Sequence, residues 1–221
     1  AAAVAGLRYA LFHHGVSVWS GYVLVGITIA YVAYNRGGPL RVSAVVRPLV
    51  GSNRALEVAI DALAVVATIV GVTTTVGFTV REFLAGIEFY WGIETSEIGI
   101  VLFAIAVGIV FTTSAVTGLH RGIRRLALLG VAGLIALGGA LAVVGPTGTL
   151  VSLGMATTSE YAREFVAMST VTSGEWVANW TLFYLNWWLA WTPFVGLFIA
   201  RISWGRTIRG VVLSAMGAVG A

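Results

Sequence analysis

Trp180, Tyr184, Trp187, Trp188 and Trp191 fall within about 100° of one another on a helical wheel, so a single helix would present them as one aromatic stripe. Trp and Tyr mark the membrane–water boundary in many apolar helices, and that position accounts for Trp180 and Tyr184. Trp188 and Trp191 lie eight and eleven residues further along, roughly 12 to 16 Å deeper. Rings at that depth either pack against a neighbouring helix or line a cavity. Clustered ring faces in a low-dielectric cavity suit a quaternary ammonium group, which has no N–H to donate and is held through the ring quadrupole. His14, Trp19 and Tyr22, near the start of another apolar stretch, offer further walls for such a box, or else belong to the same boundary belt.

Other residues allow less specific chemistry. Thr68 opens a stretch of small and hydroxyl residues, Gly71 to Gly77, inside an apolar run. Such hydroxyls bond back to their own helix or supply oxygens to a cation. Pro193 cannot donate to the Leu189 carbonyl, which leaves either a kink or a free oxygen. Asp61 and Glu57 sit at the start of an apolar run, and pairing with a nearby Arg such as Arg54 is the expected outcome. His120, Arg121, Arg124 and Arg125 form the densest basic cluster and read as a cytoplasmic anchor. No zincin, nucleophile-elbow or phosphate-loop pattern occurs, which argues against an enzyme. Zero Cys removes disulfides and thiolate metal sites, and His13 and His14 have no acid or further His near them in sequence with which to build a metal site.

The elements that must carry these residues follow from composition. The 221 residues are 58% hydrophobic and 10% charged, with mean hydropathy +0.94. Soluble domains carry about 25% charged residues, so the polar shell missing here is replaced by lipid. The fold expected is all-α and polytopic. Since a bilayer needs about 20 apolar residues per helix, five spans are predicted at about 16–34, 59–80, 98–119, 126–144 and 180–202, with a sixth starting at 210–221. Residues 37–53 read as a connector carrying a short amphipathic piece, and 157–168 as a surface helix with Ser159 as its N-cap. Arg36, Arg41, Arg47 and Arg54 follow span one, Arg121, Arg124 and Arg125 span three, and Arg201, Arg206 and Arg209 span five. Those loops are predicted to be cytoplasmic in a multi-pass cell-membrane protein, while the Glu-bearing connections, Glu82 to Glu97 and Glu160 to Glu175, face outside. The scattered basic residues, with a net charge of +4, form no nucleic-acid surface. Span one then runs inward from Ala1 and the last apolar run is half a span long, so a larger protein is expected on both sides.

The stretch Trp180 to Arg209, WTLFYLNWWLAWTPFVGLFIARISWGRTIR, closely resembles the signature helix of the betaine/choline/carnitine transporter family. FHHGVSVWSGY (Phe12 to Tyr22), AIDALAVVATIVG (Ala59 to Gly71), TGLHRGIRRL (Thr117 to Leu126) and GPT (Gly145 to Thr147) agree in order. The resemblance implies an inverted five-plus-five-helix repeat transporter, with this chain supplying the last four helices of the first repeat and the first helix of the second. It implies secondary transport of a trimethylammonium solute such as glycine betaine, choline or carnitine, with His14, Trp19, Tyr22 and Trp188 as a box and Trp187 and Trp191 beside it. Thr68 and Phe194 would belong to one of two sodium sites. His14 stands where the family pattern has Trp, Leu185 and Asn186 stand for Trp-Ala, Val72 for a hydroxyl residue and Trp204 for a basic one. A transporter of another zwitterion, or a membrane chain that transports nothing, are the alternatives, and a homo-oligomer is left open.

Overall fold

The computed structural model describes residues 2–118 and 122–220, with side chains to residue 217; His120 and Arg121 of the predicted basic cluster lie outside the described residues. Among the described residues the chain is helical without strands: α1 (Ala2–His14), α2 (Val16–Asn35), α3 (Ser43–Val50), α4 (Arg54–Trp91), α5 (Glu97–Val116), α6 (Arg124–Val144), α7 (Thr147–Thr170), α8 (Leu182–Ile202) and α9 (Ile208–Gly220), with a π-helical turn, Val177–Thr181, leading into α8. Five stretches are long and apolar enough to cross a membrane: 2–35, 54–91, 97–116, 124–144 and 177–202. They follow the predicted spans in order, and a shorter apolar helix follows them near the predicted sixth. An all-helical architecture is thereby shown.

The boundaries differ in instructive ways. The first span is preceded by thirteen further helical residues, Ala2–His14, because the Ala-rich start lacks any Pro or turn signal. The 38-residue α4 runs roughly 57 Å, so Arg81, Glu82 and Glu88, predicted in a loop, are helical residues beyond the apolar window. Asn53 caps its start, its Oδ1 accepting from the amides of Ala55 and Leu56 at 3.1 and 3.2 Å. Ser159 is not an N-cap: α7 begins twelve residues earlier, after the Gly145–Pro146 break, and the Ser159 hydroxyl accepts from Arg163 one turn on. The predicted amphipathic piece is α3, which includes Arg47 but not Arg41.

Two compact units divide the chain: 1–72 with 156–221, and 73–155. In the second, Phe83 and Phe103 stack with centroids 4.8 Å apart, while α5 and α6 have no buried residues, as expected of helices whose solvent is hydrocarbon. The first unit holds the core. Here α2 crosses α8 at two glycines. A Cβ on Gly26 would come within 2.6 Å of Ile199 Cγ2, and one on Gly196 within 2.8 Å of Val25 Cγ1. Without side chains at these points the two backbones approach closely, and dispersion replaces the hydrophobic drive that lipid cannot supply. Tyr22, Val23 and Ile199 are buried at this crossing, with Val211 of α9 packed against it.

In the same unit α3 is tied to α4 by Asp61. Its two carboxylate oxygens accept from the Ser43 amide and the Ser43 hydroxyl, each at 2.9 Å, and Arg41 lies 3.9 Å away. Asp61 therefore pairs with Arg41 and the first residue of α3 rather than with Arg54, which opens α4 itself. Glu57 pairs with Arg47 at 3.5 Å.

Candidate functional site

The site is built around the break between α1 and α2. Gly15 leaves the helical path at φ −95°, ψ −134°, and its amide bonds to the Leu11 carbonyl at 2.8 Å. A Cβ there would stand 2.5 Å from that same oxygen, so the bend admits only glycine. A helix interruption releases carbonyls from the i→i−4 ladder, and at membrane depth a released carbonyl must find another donor. The His13 carbonyl finds the indole of Trp188, whose Nε1 donates to it at 2.7 Å. The break in one helix thereby fixes the central aromatic of another.

Around Trp188 the rings interlock. His14 meets it edge-on at 5.3 Å and Tyr22 at 6.3 Å, and Trp187 lies nearly parallel to it at 5.0 Å. Trp19 is edge-on to Tyr22 at 5.7 Å, and Phe194 to Trp191 at 5.9 Å. His13 is buried, stacks on Tyr184 at 4.6 Å, and has Nε2 3.2 Å from the Thr181 hydroxyl in the π turn. Such one-turn π insertions often accompany functional sites, and here it sets Thr181 opposite His13.

A cavity of about 380 Å³ opens among these groups, walled by Phe12, His13, Tyr22, Tyr184, Trp188 and Thr181 among others. That size and lining, mostly apolar with a few convergent polar groups, fit a small solute. Of the predicted box residues the structure brings Tyr22 and Trp188 to this wall. His14 is exposed and does not line the cavity, with Nδ1 3.1 Å from the Ala10 carbonyl, and the neighbouring His13 takes the inward position. Trp19, Trp187 and Trp191 do not line it. Trp187 instead donates through Nε1 to the Gly71 carbonyl at 3.3 Å, and Trp191 packs on Gly71. His13, Tyr184 and Thr181 were not among the predicted box residues. His14 was placed by its position in the family pattern, which runs along the sequence, whereas the bend at Gly15 turns His13 inward.

Of the predicted ion ligands, Thr68 donates its hydroxyl hydrogen to the Ala64 carbonyl at 2.8 Å, the helix-bonded alternative, which still leaves its oxygen lone pairs available. Phe194 is exposed. Among the described residues no group of three His, Cys, Asp or Glu side chains could hold a metal.

Residues 1–220 match the family model described as BCCT, betaine/carnitine/choline family transporter. The chain belongs to that family. It is 36% identical over 220 residues to a glycine betaine transporter of Bacillus subtilis, covering 95% of this chain and 43% of that protein. It is 34% identical over 219 residues to an ectoine/hydroxyectoine transporter of Virgibacillus pantothenticus, covering 97% and 44%. A high-affinity choline transport protein of Escherichia coli is 37% identical over 225 residues, covering 97% and 33%. The chain thus spans less than half the length of these curated relatives. A betaine/carnitine/choline family member with several helices of spanning length is a membrane protein, and its relatives are transporters, not enzymes.

Proposed function

We propose that the protein containing this chain is a secondary transporter of a quaternary ammonium solute, of the glycine betaine or choline kind, and that Trp188 and Tyr22 contribute to the place where the ammonium group is held. The observation that carries this reading is the cavity beside the α1–α2 break, where Trp188, fixed by the His13 carbonyl, lines the wall together with Tyr22 and Tyr184. A methylated ammonium in such a cavity is attracted to ring faces without needing an acceptor for N–H groups it does not have. Trp19, Trp187 and Trp191 then pack behind Trp188 and Tyr22, while His14 touches Trp188 from the exposed side. The inverted five-plus-five repeat, the cytoplasmic placement of the Arg-rich loops, and a sodium site using Thr68 and Phe194 belong to the same proposal. With Val72 contributing no oxygen, that sodium site is weak, and Val72→Thr steepens the sodium dependence of uptake.

The test is uptake of labelled glycine betaine and choline by cells carrying the full-length protein. Trp188→Ala removes a ring worth roughly 0.5 to 2 kcal/mol and weakens affinity about two- to thirtyfold, with Trp188→Phe milder. Unchanged affinity for every quaternary ammonium solute overturns the reading. The ectoine/hydroxyectoine transporter among the relatives favours a second reading, in which another zwitterion is the solute. Competition by that zwitterion and not by glycine betaine would decide for it.

A further inference from the structure

His13 is 6% exposed and lines the cavity, and it differs from the other described residues of that wall in having a side chain that becomes a cation within about pH 5 to 8. Its surroundings hold no charge that would offset that cation. The ring stacks on Tyr184 at 4.6 Å, is tilted against Phe12 at 5.5 Å, and has Nε2 3.2 Å from the Thr181 hydroxyl. The titratable groups around it are Tyr9 and His14 on α1, Tyr184 on α8 and, across the cavity, Tyr22 on α2. Tyrosines ionise near about pH 10 and stay neutral here, and His14 adds positive charge or none. The π turn contributes no ionisable residue. From α7, whose Phe165 meets Phe12, the acid that reaches α1 is Glu160, and it is paired with Arg8 at 3.7 Å. Among the described residues no carboxylate lies within ion-pair distance of His13.

We infer that His13 is a pH-sensitive switch on the cavity: its neutral imidazole leaves the wall open to a quaternary ammonium group, and its imidazolium repels that group. The inference rests on the cavity being the solute site. Two positive charges in one apolar cavity repel strongly, because neither water nor a counter-ion screens them. A quaternary ammonium carries no proton to release, so the repulsion is relieved only when His13 loses its proton or the solute leaves. The sign follows. Solute binds the neutral form, so affinity is full above the imidazole's pKa and falls below it, towards tenfold per pH unit. Linkage is reciprocal, so solute binding at acidic pH must expel the proton from His13. The adjacent His14 is exposed, and water screens whatever charge it takes up. The effect belongs to the inward histidine of the pair.

The experiment measures equilibrium binding of choline to the purified full-length protein between about pH 5 and 8, a range in which choline itself does not titrate, in wild type, His13→Gln, His14→Gln and Trp188→Ala. His13→Gln keeps a polar amide to face Thr181 and takes up no proton. Wild-type affinity is expected to fall about three- to thirtyfold from the alkaline to the acidic end, and His14→Gln to show the same fall. His13→Gln should stay within about twofold throughout. A flat wild-type profile, a fall that persists in His13→Gln, or a fall abolished by His14→Gln overturns the inference. The wild type alone supplies a second measurement that does not depend on the variant folding: in weak buffer, choline should release protons at the acidic end and none at the alkaline end, and binding without proton release at the acidic end overturns the inference as well. Failure of the underlying site reading looks different: Trp188→Ala then leaves choline affinity at the alkaline end unaltered.

Discussion

At the scale of single residues, adjacent histidines have opposite surroundings. His13 is buried, stacked on Tyr184 and bonded to Thr181, whereas His14 is exposed and meets Tyr184 and Trp188 only by its edge. His13→Ala should therefore destabilise the full-length protein by about 1 to 3 kcal/mol, through a lost ring contact and an unpaired Thr181, while His14→Ala stays within about 0.5 kcal/mol. Thermal unfolding in detergent checks both, and equal effects would contradict the assignment of His13 to the interior. Motif position pointed to His14, because the family pattern is read along the sequence and the inward face is set in space. Tyr22 and Trp188, also placed by motif position, do line the cavity, each lying within a helix after the break, where spacing along the sequence keeps its relation to direction in space. His13 was not legible in this way, since Gly15 resets the phase between α1 and α2.

At the scale of elements, the spans were legible and their ends were not. Hydropathy reports which residues prefer lipid, so it found all five stretches of spanning length, but it says nothing about how far a helix continues past its apolar window. That is why α4 outruns its apolar window through Glu82 and Glu88, and why α7 starts at the Gly145–Pro146 break rather than at a polar cap. Side-chain clips between elements were equally hidden, because Asp61 is eighteen residues from Ser43 in sequence. Removing that clip with Asp61→Ala leaves the buried Ser43 amide and hydroxyl unpaired, a loss of about 1 to 3 kcal/mol. Detachment of α3 should show as faster tryptic cleavage after Arg41, just before α3; an unaltered cleavage rate would mean that packing on α2 alone holds α3. For the break itself, Gly15→Ala drives a methyl group into the Leu11 carbonyl, and the backbone shift that relieves it displaces the His13 carbonyl from Trp188. Solute affinity and stability should fall together, the latter by about 1 to 3 kcal/mol. A stable variant with wild-type affinity would uncouple the break from the site.

At the scale of the whole molecule, charge decides orientation where packing does not. Every spanning helix here is apolar along most of its length, so hydrophobicity alone would accept either direction across the bilayer. The connecting segments break that symmetry. Ten Arg follow spans one, three and five, and the acids gather after spans two and four. Arg near a span end tends to be retained on the cytoplasmic side, so all three Arg-bearing segments are expected to favour the same orientation. The consequence can be measured directly, since this stretch has no cysteine of its own. In a cysteine-free background of the full-length protein, Ser52→Cys should react with a membrane-impermeant maleimide only after cells are opened, while Glu94→Cys and Ser173→Cys react in intact cells. Each lies in an exposed segment outside the apolar windows, so access depends on the side of the membrane rather than on burial. Labelling of Ser52→Cys in intact cells would reverse the orientation.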